Sequence, residues 1–328
     1  VAAQPKVIAH RGYWTAPESA QNSIASFTKA DAVGVFGSEI DVWLTADDKL
    51  IVNHDRIYKG THVNMEKATA KEITAIVLPN GENIPTFDAY LKLVASKPDT
   101  RLILEMKSLS DYNREDLAAK KIVKQLKKYG VLDQTEIIAF SINACMAFKK
   151  LIPDTKIYYL NGDLAPKSIK KLGLAGIDYS MKVLRKNPEW VKQAHDLGLE
   201  VNVWTVDEEA DMKYFIDLGV DYLSDIHHRH LDAAFTQTLQ IEGLHTAVGD
   251  DSVDSLQIAD LAEPAAAEFR RVGQHHDLLR GIDHRIVQRG FEHVGRRQSE
   301  LRVDTVHAYE QFAAIEIAEH RLGKGPHD

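Results

Sequence analysis

Four short clusters in the first third of the chain carry side chains that could do chemistry: His10-Arg11-Gly12, Glu39 with Asp41, His54-Asp55, and Glu105 with Lys107. Glu39 and Asp41 are two residues apart, so on a β-strand both point to the same side. Two bare carboxylates facing the inside of a fold need compensation, and a divalent cation supplies it. An all-oxygen ligand set suits Ca²⁺ or Mg²⁺ rather than Zn²⁺. Glu105, on a neighbouring strand, is the third candidate ligand. His10 and His54 can serve as a general acid–base pair, because imidazole titrates near working pH. Arg11, with its forked guanidinium, and Lys107, as a point charge, suit a phosphate. Gly12 lets a backbone approach a ligand closely. Taken singly, each acid reads as a salt-bridged side chain and each His as structural. Their clustering at strand ends favours the reading as metal-assisted cleavage of a phosphate ester.

The elements that must position these residues can be read from hydrophobic patterning. Eight apolar runs predict strands: Lys6–His10, Ser38–Thr45, Arg101–Glu105, Glu136–Phe140, Lys156–Leu160, Gly176–Ser180, Glu200–Thr205 and Asp221–Ser224. They are nearly continuous in hydrophobicity, as buried parallel strands are. Helical patterns lie between them at Asn22–Val33, Leu117–Tyr129, Ile142–Leu151, Pro166–Leu172, Pro188–Leu197 and Glu208–Leu218, several ending at a glycine. Eight strand–helix units predict a (β/α)8 TIM barrel of the α/β class rather than an open doubly wound sheet. No G-x-G-x-x-G follows the first strand. The connection from Asp55 to Arg101 is anomalously long. It holds an extended run at Leu50–Asn53 just before it and a helical stretch near Phe87–Leu93, and it reads as an insertion over about residues 56–100 that shapes the substrate pocket.

Composition sets the outer limits. The chain has 328 residues and a formal net charge of −8, which argues against a general nucleic-acid binder. No run approaches the 18 or so apolar residues of a membrane-spanning helix. A single cysteine, Cys145, excludes an intramolecular disulfide framework and a cysteine-cluster metal site. The opening Val-Ala-Ala-Gln-Pro lacks a Met, which fits either an arbitrary boundary of the sequence or a mature end left by a removed signal peptide. The expectation is a periplasmic or secreted protein, with the cytoplasm as the alternative. Residues 1–226 hold 24 Lys and 5 Arg, whereas 227–328 hold 1 Lys and 10 Arg, with 11 of the 15 His. That switch suggests segments of different origin. A barrel over 1–240, with His228–Gln240 as its last helix, would leave 241–328 as an unassigned tail, partly helical or disordered. Short helical patterns occur there at Ala265–Arg271 and Val306–Ala318. The His227, His228 and His230 mixture has no defined ligand spacing and reads as a solvated face.

The motifs resemble those of the glycerophosphodiester phosphodiesterase family. They are H-R-G at 10–12, Pro17-Glu18 and Asn22-Ser23, E-x-D at Glu39 and Asp41, the T-x-D-x-x-L-I-V-x-H-D run ending at His54-Asp55, L-E-M-K at 104–107, and V-N-V-W-T-V-D around Trp204. The match covers about residues 6–226. The resemblance implies a TIM barrel that hydrolyses glycerophosphodiesters to sn-glycerol 3-phosphate and an alcohol. It implies Ca²⁺ or Mg²⁺ on Glu39, Asp41 and Glu105, acid and base roles for His10 and His54, and phosphate held by Arg11 and Lys107. Trp204 would be a pocket wall, and the insertion would cover the glycerol end. Two features depart from the family pattern. Ser19-Ala20-Gln21 intervenes before Asn22-Ser23, and no proline follows Asp225 at the end of the eighth strand. Two other readings stay open: a phosphodiester lyase that releases a cyclic phosphate, and a barrel that binds glycerophosphodiesters without turning them over. The partner expected is a small-molecule substrate, and the sequence does not disclose an oligomeric state.

Overall fold

In a computed structural model, residues 4–225 are described, and their strands close into a parallel eight-stranded barrel. The elements run β1 (Lys6–Ala9), α1 (Ile24–Ala32), β2 (Gly37–Leu44), β3 (Leu50–Val52), α2 (Ala70–Thr74), α3 (Phe87–Ala95), β4 (Arg101–Met106), α4 (Tyr112–Lys128), β5 (Thr135–Ala139), α5 (Ile142–Leu151), β6 (Ile157–Tyr159), α6 (Pro166–Lys171), β7 (Gly176–Ser180), α7 (Met181–Lys186), α8 (Glu189–Asp196), β8 (Glu200–Trp204), α9 (Glu209–Leu218) and β9 (Tyr222–Asp225). Each barrel strand pairs in parallel with its neighbours, and β1 joins both β2 and β9 to close the ring. The fold is a TIM barrel, as expected, and every anticipated strand is present. The expected last helix at His228–Gln240 and the readings for 241–328 lie outside the described residues.

Alternation along the strands sorts side chains into two layers. Ile40, Val42 and Leu44 of β2 and Leu102, Leu104 and Met106 of β4 join the main core under the helices. That core also takes in Phe27 of α1, Tyr90 of α3 and Phe148 of α5, and Phe27 meets Tyr90 edge to face at 5.8 Å. The intervening residues face the barrel axis. There a smaller cluster forms around Ile8, Ile103, Ile138, Tyr158 and Tyr222.

The long connection behaves as two parts. β3 turns back and pairs antiparallel with the far half of β2, Val42 opposite Val52. Residues beyond it form a small core of their own, with Met65, Ile73, Leu78 and Ile84 packed with Trp43 and Ile51. α3 instead belongs to the ring of barrel helices: Phe87, Tyr90, Leu91 and Val94 enter the main core, and Asp88 accepts a hydrogen bond from Tyr129 at the end of α4. The part of the insertion outside the ring therefore ends before Phe87.

Helix starts follow local capping. Ser23, Thr86, Asp111, Ser141 and Ser180 each accept a backbone N–H three residues on. Asp111 starts α4 at Tyr112, five residues before the apolar stripe that betrayed the helix. Two short helices, α2 and α7, were not expected from patterning.

Candidate active site

The strand register assembles the carboxylates. β2 and β4 pair with Asp41 directly opposite Glu105, both facing the barrel axis. Glu39 lies one pleat below Asp41 on the same side. One oxygen from each of the three fits within 4.8 Å of the others, and all three residues are buried. β1 contributes His10 and Arg11 from the adjoining strand end. The backbone N–H of Arg11 donates to Glu39 Oε2 at 2.8 Å, and His10 Nε2 stands 3.9 Å from the same oxygen. β3 brings in His54: the N–H of Asn53 donates to the carbonyl of Asp41 at 3.0 Å. Lys107, one residue past β4, places Nζ 2.9 Å from Glu105 Oε1 and 3.2 Å from Asp41 Oδ1.

The fourfold cluster read from the sequence therefore converges at the C-terminal ends of β1, β2 and β4, where sites of this fold sit. Trp204 ends β8 on the same rim. Its indole N–H donates to the carbonyl of Asp178 at 2.9 Å, and its ring meets Phe140 edge-on at 6.0 Å. The next residue, Thr205, places Oγ1 3.3 Å from His10 Nδ1.

Electrostatics separate the three acids. Burial, then Asp41 and Glu105, push the Glu39 carboxyl well above its ordinary value. Burial and Asp41 raise Glu105 to about 8, against the pull of Lys107. Burial opposes ionisation of Asp41 too, but Lys107, His54 and the amide of Asn22 hold it down at about 2. Burial works against the Lys107 cation, and Asp41 and Glu105 more than offset it, so its pKa rises. Burial, then Arg11, lowers His10 to about 3. Burial also lowers His54, with Asp41 opposing.

The donor set suits a hard divalent cation. It consists of three carboxylates and no sulfur, on an oxygen cluster that repels itself when ionised. Glu39 Oε1 is buried and has no hydrogen-bond partner among the described residues. A buried carboxylate oxygen left without a partner beside such a cluster is what a cation would satisfy.

His54 is held at both ring nitrogens. Arg11 Nη2 donates to Nε2 at 2.8 Å, and Nδ1 stands 2.7 Å from Asp55 Oδ1. That pattern fixes the neutral tautomer with the proton on Nδ1, directed at Asp55.

Two residues of this arrangement were not anticipated as site residues. Asn22 has a left-handed backbone, φ +58°. Its Nδ2 donates to Asp41 Oδ2 at 2.8 Å, and its Oδ1 accepts the Asp41 N–H at 3.1 Å. The sequence reading began the first helix there, whereas Ser23 is the cap. Gln21, in the stretch that departs from the family pattern, accepts from Arg11 Nη1 at 3.0 Å. The departing loop thus anchors the guanidinium. The signal that could have exposed Asn22 was an Asn immediately before a Ser cap, since Asn tolerates the left-handed region.

The sequence model of the glycerophosphoryl diester phosphodiesterase family matches residues 10–224. This chain belongs to that family. A curated glycerophosphodiester phosphodiesterase of Caldanaerobacter subterraneus is 31% identical over 230 residues, 66% of this chain and 91% of that one. The crystal structure of a glycerophosphodiester phosphodiesterase from Parabacteroides distasonis is 40% identical, with a TM-score of 0.70. It covers 73% of this chain and all of its own. A phosphodiesterase of Oleispira antarctica, in complex with the product sn-glycerol-3-phosphate, is 21% identical, with a TM-score of 0.62, over 71% of this chain and 97% of its own. At that identity the likeness is one of fold. Family membership makes the chain an enzyme of the phosphoric diester hydrolase class. Among the described residues, no helix is long and apolar enough to cross a membrane.

Proposed function

We propose that this chain hydrolyses glycerophosphodiesters to sn-glycerol 3-phosphate and an alcohol, using Ca²⁺ or Mg²⁺ on Glu39, Asp41 and Glu105. The observation that carries the reading is the convergence of those three carboxylates, within 4.8 Å, beside two histidines and two cations from three strand ends. A cation held there would act as a Lewis acid toward the phosphoryl oxygens and add positive charge where negative charge grows.

The chain's own groups do the rest. Arg11 offers a guanidinium, steered by Gln21 and His54, to a phosphate oxygen. Lys107 adds a second positive charge from the β4 side. Both become more favourable as charge on phosphorus grows. Asp55 sits behind His54 at Nδ1 and favours the imidazolium, so His54 is suited to carry a proton for the leaving alkoxide at Nε2 once Arg11 turns from that nitrogen to the phosphate. His10, kept neutral by burial and Arg11, serves as the other member of the pair and takes the proton from an attacking water. Trp204, on the rim beside Thr205 and His10, would wall the pocket with its ring.

The test is release of glycerol 3-phosphate from glycerophosphocholine and glycerophosphoethanolamine, with Ca²⁺, with Mg²⁺ and with EDTA. Release that needs the cation is expected, and Glu39→Ala or Glu105→Ala should abolish it. Metal-independent release, or full activity in either variant, would sink the metal assignment. A cyclic phosphate product in ³¹P NMR would replace hydrolysis with a lyase reaction. Substrate recovered unchanged would leave a binding barrel.

A further inference from the structure

The insertion contains a buried carboxylate apart from the three-acid cluster. Glu66 is 6% exposed and sits between β3 and α2, with no role in the chemistry described above. Its Oε2 accepts from Arg56 Nη1 at 2.8 Å. Its Oε1 accepts from the Ser110 backbone N–H at 2.8 Å and from Ser110 Oγ at 2.6 Å, and Arg114 Nε stands 3.6 Å away. Two guanidiniums and two donors of one serine therefore converge on one carboxylate.

The partners matter by where they lie. Arg56 is two residues past His54. Its second nitrogen, Nη2, donates to the carbonyl of Ser108 at 2.9 Å, one residue past Lys107. Its guanidinium lies over the Trp43 ring, 4.8 Å from the centroid, two residues past Asp41 on β2. The Met65 N–H closes the other side by donating to the Arg56 carbonyl at 2.8 Å. Glu66 and Arg56 together clamp the loop that carries His54 to the loop that carries Lys107.

We propose that Glu66 is a positioning residue that fixes His54 relative to Lys107, so that part of the insertion belongs to the catalytic apparatus rather than serving only as a cover. The inference rests on the hydrolytic reading above. A buried carboxylate with four donors around it is hard to move, and through Arg56 and Ser110 it holds both loops. Removing it leaves Arg56 without its buried partner and frees Ser108 to Ser110. The proton carrier then loses its fixed distance from the group that holds phosphate. Misplacement of about 1 Å costs on the order of 100-fold in rate.

The experiment compares full-length wild type, Glu66→Ala and Glu66→Gln on glycerophosphocholine with the activating cation. Ca²⁺ binding is followed separately by thermal shift. Glu66→Ala should lower kcat by about 100-fold, with KM changed far less. The Ca²⁺ midpoint should hold, because Glu39, Asp41 and Glu105 make no contact with Glu66. Glu66→Gln keeps an acceptor for Ser110 but not the charge facing Arg56, so its loss should fall between. Arg56→Ala should cost less on top of Glu66→Ala than on its own, since the two act as one clamp. If Glu66→Ala does not fold, Glu66→Gln decides. A folded variant with wild-type kcat overturns the inference and leaves the hydrolytic reading standing. A Ca²⁺ midpoint that shifts in parallel with kcat also overturns it, by showing a general loosening of the site. An inactive wild type overturns both.

Discussion

A cation entering the acidic cluster must compete with a proton, and the competition has a calculable slope. Burial and Asp41 put Glu105 at about 8 in the free protein. At pH 7 its protonated form then outweighs the ionised form roughly ten to one. A metal ligand must be deprotonated, so binding releases that proton. Between pH 6 and pH 8 the apparent affinity should rise by at least about tenfold per pH unit, or about 1.4 kcal/mol. Glu39, raised by the same neighbours, can only steepen the slope. Asp41, at about 2, is ionised throughout and adds nothing to it. The same shift sets the stability of the metal-free protein. Glu105 has a folded pKa above its unfolded one, so its stabilising contribution is complete below the unfolded value of 4.5 and is lost as pH climbs through about 8. Ca²⁺ should restore the loss. Isothermal titration of Ca²⁺ at pH 6, 7 and 8, in paired buffers of different ionisation heat, reads affinity and proton release together. At least about one proton per cation is expected at pH 7. An affinity flat from pH 6 to pH 8 with no proton release would refute the reasoning. It would mean that Lys107 alone neutralises the cluster and that Glu105 is already ionised.

Three further perturbations separate the site from its support. Asn22→Leu removes both bonds to Asp41 and leaves its Oδ2 buried without that donor. Urea unfolding should show a loss of about 1–3 kcal/mol, and Ca²⁺ affinity should fall with it. Gly12→Ala would place a Cβ 2.2 Å from Ser26 Oγ and 2.8 Å from the Ser26 carbonyl carbon, at φ +76°. The backbone that presents Arg11 to Glu39 must then shift, so activity should drop together with about 1–3 kcal/mol of stability, read by kinetics and by unfolding. Phe27→Ala empties a fully buried position against Tyr90. It should cost about 3–5 kcal/mol by the same unfolding assay, with KM unchanged in the folded fraction because Phe27 faces away from the site.

The barrel was legible because its strands are buried on both faces and therefore read as apolar runs. Where polar residues broke those runs at alternate positions, as at Glu39 and Asp41, the interruption itself marked the site. Helix positions were harder. α2 and α7 have five and six residues, too few for a helical period to show against background. What holds them is a cap, Thr69 with Glu72 in one and Ser180 in the other, and such residues are common in loops as well. Asn22 was hidden for a different reason. Its function depends on a partner 19 residues away, reached only because its backbone turns left-handed. Glu66 was hidden in the same way, since its donors come from Arg56, Ser110 and Arg114. Local pattern reports which side a residue faces. It does not report which distant group waits there.

The same alternation ties stability to chemistry on β2 and β4. Ile40 and Val42 enter the core because Glu39 and Asp41 do not, and Leu104 enters because Glu105 does not. A slip of one residue in either strand would turn the acids into the helix layer and the aliphatics into the barrel axis. The apolar residues would then lose the contacts that make the core, and the acids would be buried among hydrocarbon. The hydrophobic cost of that slip holds Asp41 opposite Glu105, against the desolvation cost of burying three acids side by side. The core therefore supplies the energy that keeps a buried acidic site assembled.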